Sequence, residues 1–367
     1  MKKEPDRLNP ERRKHMKISE IDKNLAVENT TGLDNIVWLN VKEKPFSIHG
    51  LWQVEEGVCF LRMPESVAKE TSEGVHWLNS HTAGGRIRFR TNSPWIALKA
   101  VMPDNATMAH ITMLGQSGFD LYRSDGGMYE YAGSFMPGNR HHGYDTWKPT
   151  DGRSHTYTVN MPLYDPVEEV FIGLSADADI DAPEPYAYEK PVLYYGSSIT
   201  QGGCASRPGN AYQAMISRRL DADFVNLGFS GSARAERVMC EYLASLDASV
   251  FVCDYDHNAP NADHLEATHR TLYEIYRRAN PDTPIIFVSK PDFHPGTEDV
   301  RRREIVLATY HAALAAGDRK VSFVDGAKLF EGPFADSCTV DGCHPNDLGF
   351  FRMAQKIGDA VEAALKG

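Results

Sequence analysis

Two hydrophobic periods divide the chain. Between about residues 33 and 180, apolar positions recur at every second residue in short runs bounded by turn residues. Gly85-Arg86-Ile87-Arg88-Phe89-Arg90 alternates apolar and charged side chains, the period of a half-buried strand. Residues 58–63, 95–101, 156–161 and 167–174 read as further strands. Asp125-Gly126, between Leu121-Tyr122 and Met128-Tyr129, reads as a hairpin tip. Helical periodicity is nearly absent. Many short strands at this spacing predict a β-sandwich, jelly-roll-like in type.

Beyond residue 190 the period changes. The runs at 192–195, 224–227, 250–253, 285–288 and 321–324 are short and mostly apolar, as suits strands buried on both faces. Helical patterns lie near 211–220, 235–246, 264–279 and 301–316. A last helix follows Pro345, with Phe350, Ala354, Ile357, Val361 and Ala364 spaced four and three apart. This alternation predicts a doubly wound α/β fold, a five-stranded parallel sheet of flavodoxin-like kind. Residues 181–191 carry three prolines and read as a linker. The expected organisation is a partly disordered leader over 1–32, a β-sandwich accessory domain over 33–185 and an α/β domain over 186–367.

Composition sharpens this picture. At 367 residues the chain exceeds the roughly 100–200 residues of one such domain. Its 39 basic and 50 acidic residues give a net charge of −11, which makes nucleic acid and anionic membranes poor partners. The charged N-terminal segment lacks the apolar stretch of about 7–15 residues that a signal peptide needs, so a cytoplasmic location is expected. The six cysteines show no CxxC spacing and read as free thiols, a Cys338–Cys343 bridge being the less favoured alternative.

In doubly wound sheets ligands gather at the carboxyl ends of strands. The first such end carries Tyr195-Gly196-Ser197-Ser198-Ile199-Thr200-Gln201-Gly202. A serine at a strand-to-helix turn can lift its hydroxyl above the sheet, or simply cap the helix. Asp341-Gly342-Cys343-His344-Pro345 precedes the last helix. A serine needs a base, histidine is the usual one, and an aspartate three residues earlier can fix its tautomer on a single turn. The plain alternative is a polar surface turn. Asn226-Leu227-Gly228-Phe229-Ser230-Gly231-Ser232-Ala233 follows the second strand and Asp254-Tyr255-Asp256-His257-Asn258 the third. The first offers close backbone N–H groups, the second an amide; both read equally as turns.

Taken in order, these four blocks resemble the SGNH (GDSL-like) hydrolase family. The resemblance covers about residues 190–367. It implies that Ser198 is a nucleophile and that Asp341 and His344 complete a triad. The Ser198 and Gly231 N–H groups and the Asn258 amide would hold an oxyanion. The sequence departs from the family in two places: Ser197 stands where an aspartate is common, and Asp-Tyr-Asp-His-Asn replaces the usual third block. Gly118-Phe119-Asp120-Leu121-Tyr122 resembles the GxDLY signature of β-domains that precede some SGNH esterases. On a strand Asp120 and Tyr122 share a face, which turns both toward the site or makes Asp120 a satisfied structural carboxylate, the favoured alternative. Candidate substrate-binding residues are Gln201, Asp256, His257, Asp120 and Tyr122.

The expected activity is a serine esterase removing small acyl groups, O-acetyl first, from carbohydrate such as imported plant-type oligosaccharides. It proceeds through an acyl-enzyme, without cofactor or metal. Trp52, Trp77, Trp95, Trp147, Tyr122, Tyr129, Tyr131 and Tyr144 offer rings for sugar stacking, although core roles suit any one of them better. The alternatives are a short-chain or lipase-like hydrolase of non-sugar esters, and a catalytically weak carbohydrate-binding protein. A metal-dependent hydrolase draws on His141, His142, His257, His264 and His269. His264 and His269 are five apart and do not share a helix face, and no HExxH occurs. Homo-oligomerisation is left open.

Overall fold

The computed structural model describes residues 16–17, 31–52, 59–103, 106–138 and 143–367. Its first part is built from β1 Met16–Lys17, β2 Ile36–Asn40, β3 Ser47–His49, β4 Arg86–Thr91, β5 Trp95–Val101, β6 Phe119–Asp125, β7 Met128–Phe135, β8 Tyr144–Pro149, β9 His155–Asn160, β10 Glu169–Ser175 and β11 Asp179–Asp181. One antiparallel sheet runs β1-β11-β4-β9-β6-β7, with β3 also on β4; a second runs β2-β10-β5-β8. Ile87, Phe89, Phe119, Leu121 and Val159 of the first sheet meet Leu39, Ile96, Leu98, Ile172 and Leu174 of the second in one buried cluster. The alternation read at 85–90 sets that register, because every second side chain of β4 enters the core. Within the expected leader, β1 pairs with β11, Met16 opposite Ile180. Residues 1–15 and 18–30 lie outside the described residues.

Three local expectations need correction. Residues 59–63 do not form a strand. The Asn79 side chain accepts the Met63 N–H (2.9 Å) and donates to the Met63 carbonyl (2.9 Å), which takes the place of a strand partner. The half also contains helices α1 Glu65–Thr71, α2 Glu73–Leu78 and α3 Met113–Ser117, of seven, six and five residues, too short to show a period of 3.6. The hairpin tip is Gly126-Gly127, with Asp125 opposite Met128. Both glycines have positive φ, +54° and +79°, as a tight two-residue turn demands.

Strands β12 Tyr188–Gly196, β13 Ala222–Gly228, β14 Val250–Asp254, β15 Ile285–Val288 and β16 Val321–Val324 form a parallel sheet in the order β13-β12-β14-β15-β16. Pro191 lies inside β12, so the connection from β11 is only residues 182–187. The flanking helices are α4 Ser198–Gln201, α5 Tyr212–Leu220, α6 Arg237–Ser245, α7 Ala262–Ala279, α8 Thr297–Ala315 and α9 Asp347–Lys366. Leu193, Phe251 and Ile285 face α6, α7 and α8 through Met239, Leu265 and Val306. The neighbouring Val192, Val250 and Ile286 face α5 and α9 through Ile216, Phe350 and Ile357. That is why these strands read as mostly apolar: both faces are covered.

The sandwich lies against β13, an edge strand of the parallel sheet. Arg86 pairs with Asp223 and donates to the Phe224 carbonyl (2.8 Å). Arg62 donates to the Asn226 and Gly228 carbonyls, and its guanidinium lies 4.4 Å from the centre of the Phe229 ring. The charged face of β4, expected toward water, is therefore an interdomain face, and Arg86 and Arg88 are buried. The GxDLY residues belong to the same contact. Asp120 is fully buried; it accepts from Arg207 (2.7 Å), the Gly209 N–H (2.8 Å) and Asn160 (2.7 Å). The Tyr122 hydroxyl accepts from Arg207 (2.5 Å). Asp120 and Tyr122 do share a face, and that face grips the loop leading into α5. Both residues are buried and Asp120 is held by three donors, so both leave the substrate-binding set.

All six cysteines are free, Cys338 and Cys343 included. No helix among the described residues is long and apolar enough to cross a membrane. Removing one partner of a buried ion pair strands the other charge, at a cost of about 3–5 kcal/mol. Because Arg207 keeps some access to water, Asp120→Ala is expected to lower unfolding stability by about 3 kcal/mol, read by denaturant titration. A loss below about 1 kcal/mol would show that this contact does not secure the two domains.

Candidate active site

The strand β12 ends in Gly196, and the chain turns at once into α4. Ser197 is the cap, its hydroxyl accepting the Ile199 N–H (3.1 Å), which leaves Ser198 as the first helical residue. Ser198 is 6% exposed, and its Oγ lies 3.0 Å from His344 Nε2. His344 Nδ1 lies 2.7 Å from Asp341 Oδ2. A carboxylate only accepts, so Nδ1 carries the proton and Nε2 is left to take the serine's. Asp341 Oδ1 also accepts the backbone N–H groups of Cys343 (3.0 Å) and His344 (2.7 Å). Burial opposes ionisation of Asp341, but the His344 ring and these two backbone bonds outweigh it and hold the carboxyl at about 2. The three residues expected to act together are thus brought together, from a strand end and from a loop 143–146 residues later.

Two backbone donors of these loops are open. Neither the Ser198 nor the Gly231 N–H meets an acceptor among the described residues. Gly231 has φ +66°, a conformation costly for any residue with a Cβ, and it turns the loop after β13 outward. The Asn258 amide gives one N–H to the Phe229 carbonyl (2.7 Å), which leaves its second N–H with no acceptor among the described residues. Asn258 therefore sits against the glycine block, with half its donor capacity in use.

Two other expected substrate contacts turn out to be braces. Gln201 is fully buried; its Oε1 accepts the Ser230 N–H (3.0 Å) and its Nε2 donates to the Leu163 carbonyl (3.1 Å). It fixes the glycine block from below and cannot reach a ligand. Asp256 is also buried, and its Oδ2 accepts the Lys290 N–H (3.0 Å). Burial pushes its carboxyl up to about 6, against several hydrogen-bonded and cationic neighbours. His257 is part-buried, 3.0 Å from the Cys343 Sγ, and burial lowers its ring to about 4. It remains at the rim of the cleft, next to the His344 turn.

Several supports had no signal of their own in the sequence. The Tyr164 hydroxyl, from the sandwich, donates to the Ser198 carbonyl (3.0 Å). Thr200 and Tyr212 donate to the buried Asp254 (3.1 and 3.2 Å), locking α4 over β14. His110, also from the sandwich, has its ring centre 5.6 Å from that of His344. The remaining histidines are dispersed. His264 bonds the Arg234 carbonyl (2.8 Å), the buried His269 bonds Thr309 (2.9 Å), and His141 and His142 lie outside the described residues. A cavity of about 470 Å³ lined by Ile285, Val321, Ala360 and Ala364 opens at the amino ends of β15 and β16, the end opposite the Ser198 cluster.

A doubly wound sheet with this cluster at its carboxyl end, preceded by an antiparallel sandwich, defines an acylhydrolase of SGNH type. A family model described as GDSL-like Lipase/Acylhydrolase family matches residues 189–362, and one described as the N-terminus of Esterase_SGNH_hydro-type matches 36–180. A crystal structure of a protein described as a GDSL-like lipase from Bacteroides ovatus is 30% identical, with a TM-score of 0.82 over 90% of this chain and 98% of that one. The chain belongs to the GDSL-like lipase/acylhydrolase family. At lower identity the fold is shared with the salicylyl-acyltransferase SsfX3 from a tetracycline biosynthetic pathway, 19% identical with a TM-score of 0.74 over 90% of this chain and 98% of that one. It is shared too with an acetyl xylan esterase from the rumen bacterium Butyrivibrio proteoclasticus, 12% identical with a TM-score of 0.55 over 90% of this chain and 99% of that one. No curated protein matches this chain in sequence.

The raised carboxyl of Asp256 makes a stability prediction. Its folded value near 6 lies above the unfolded value of 3.8, so the unfolded chain ionises first as pH rises. The contribution of Asp256 to stability therefore falls from pH 4 to 6, by about 3 kcal/mol for a shift of roughly two units. Asp256→Asn buries no charge. Thermal unfolding should show it more stable than the wild type above pH 6, with the advantage gone below pH 4. An advantage constant across that range would refute the assignment.

Proposed function

We propose that the chain is a serine esterase that removes O-acetyl groups from carbohydrate. The observation that carries the hydrolytic reading is the unbroken contact chain from Ser198 Oγ through His344 to Asp341, at 3.0 and 2.7 Å. His344 takes the Ser198 proton as the hydroxyl attacks the ester carbonyl. The oxyanion lies against the Ser198 and Gly231 N–H groups and the second N–H of Asn258. His344 then protonates the departing alcohol, and a water activated by the same ring releases the acid. Asp341 stays ionised and stabilises the imidazolium that forms in both halves.

Two observations support a sugar substrate. Trp77 is 59% exposed, on a helix whose Gly74 packs against Ser232 of the glycine block. Its ring is held 4.6 Å from that of the buried His81. An exposed, fixed indole beside the oxyanion loop suits stacking on a pyranose. Of the other rings weighed for this, Tyr131 is open but engages Arg207, and Tyr122 is buried. The fold shared with a protein named as an acetyl xylan esterase points the same way. A second reading, hydrolysis of more apolar esters, is favoured by Val340, Leu348 and Phe351, all exposed on the segments flanking His344.

Ser198→Ala should fold normally and lose at least about 10⁴-fold in kcat on p-nitrophenyl acetate. Wild-type turnover in that variant would sink the nucleophile assignment. Asn258→Ala, lacking one oxyanion donor, should lose about 10²–10³-fold in kcat. On acyl series carried by the same alcohol, acetyl should be preferred to octanoyl; the reverse order selects the apolar reading.

A further inference from the structure

The sandwich reaches the reacting groups at one point. Residues 108–111 make a tight turn closed by the Ile111 N–H on the Met108 carbonyl (3.2 Å), with Ala109 and His110 at its tip. The turn is anchored on both sides. Ile111 is buried in the same apolar cluster as Tyr194, Tyr212 and Phe350 of the α/β domain, and Met108 packs on that cluster. Gln116 accepts the Met108 N–H (3.0 Å) and donates to the Ala106 carbonyl (2.8 Å). Thr112 donates to the Ser206 carbonyl across the domain boundary (2.7 Å). His110 itself is exposed, and its ring is inclined 48° to that of His344 at 5.6 Å.

Position assigns this side chain a task. His344 Nδ1 is covered by Asp341, and Nε2 faces Ser198. In ester cleavage the acyl carbon sits over the serine, while the alcohol leaves past the histidine that protonates it. A ring fixed beside that histidine and open to water therefore borders the alcohol's path. An imidazole has one ring nitrogen to donate and one to accept, which suits a neighbouring hydroxyl. We infer that His110 binds the alcohol portion of the ester, hydrogen-bonding a hydroxyl next to the scissile oxygen, and so selects polyhydroxylated leaving groups. This rests on the esterase reading above. The turn around His110 is pre-ordered by Ile111, Gln116 and Thr112, so contact costs little ordering entropy.

The test compares two esters with a common acetyl group. Acetylated xylo-oligosaccharide offers hydroxyls beside the ester. p-Nitrophenyl acetate offers none, and its alcohol departs without needing a proton. The common acyl-enzyme makes deacylation the same for both, so kcat/KM isolates the step in which the alcohol is present. His110→Ala should lose about five- to tenfold in kcat/KM on the acetylated sugar, the worth of one neutral hydrogen bond, and change less than twofold on p-nitrophenyl acetate. His110→Gln, which keeps a donor and an acceptor, should recover part of the loss. An even fall on both esters would mean that His110 acts only through His344, and no change on either would mean that it touches nothing; both overturn the inference. A wild-type protein inactive on both esters would instead overturn the esterase reading itself.

Discussion

Two buried arginines closing the open edge of β13 are the constraint on which the rest depends. An edge strand presents a row of unpaired carbonyls, and burying such a row under another domain is costly unless each is satisfied. Phe224, Asn226 and Gly228 are alternate residues, so their carbonyls point the same way. Arg86 takes the first, and Arg62 takes the other two. A guanidinium suits this role because it has five donors in a fixed plane and gives up its proton only with difficulty. The environment is severe enough that burial alone lowers Arg62 to about 9. With those bonds made, the sandwich is a wall of the parallel sheet rather than an appendage. The loop that follows β13, carrying Ser230 and Gly231, starts from a carbonyl that cannot drift.

That anchoring explains how a cleft made of short loops keeps its geometry. The oxyanion role proposed for the Gly231 N–H requires a loop fixed to within a fraction of an ångström before substrate arrives. Gln201 ties Ser230 to the helix that bears Ser198, and Asn226 ties β13 to the same helix through the Thr200 carbonyl (2.8 Å). Tyr164 holds the Ser198 carbonyl from the other domain. Donor loop and serine helix are thus bound to each other as well as to the sheet. None of these braces touches the reacting atoms, yet each removes a degree of freedom between the serine and the place where charge develops.

Much of the architecture was legible because periodicity survives in isolation. The five apolar runs of the second half became five strands, since covering helices on both faces leave few polar positions to blur the signal. The strand at 95–101 was read to the residue. The Ser198, Asp341 and His344 set was legible because its spacing is local at each end: a strand-to-helix turn and a single DxxH turn. Part of what failed depended on the other domain. Arg86 and Arg88 alternate with apolar residues just as solvent-facing charges would, and only the partner surface makes them buried. Gln201, the last residue of α4, and Asp256, just after β14, are polar residues next to the site. Sequence proximity suggested contact with substrate, whereas each spends its hydrogen bonds on the fold. His110 had no signal, because a histidine in a four-residue turn has no period and its neighbour His344 is more than 200 residues away.

The acid–base pair of this site is a single turn and moves as one piece. Asp341 Oδ1 binds the His344 backbone while Oδ2 binds its ring, so carboxylate and imidazole keep their relative geometry whatever the loop does. The turn is then set against the serine by bonds outside the triad. The Cys204 N–H, just past α4, donates to the Pro345 carbonyl (2.9 Å). Asn346 caps α9 through the Leu348 and Gly349 N–H groups, and Asp347 holds the loop after α4 through Ser206 and Asn210. That same Ser206 takes the bond from Thr112 that seats the turn bearing His110. One short stretch, residues 204–206, therefore registers three things together: the serine helix, the histidine turn and the wall supplied by the sandwich. A change there displaces all three, whereas a change in any one block alone leaves the other two in place.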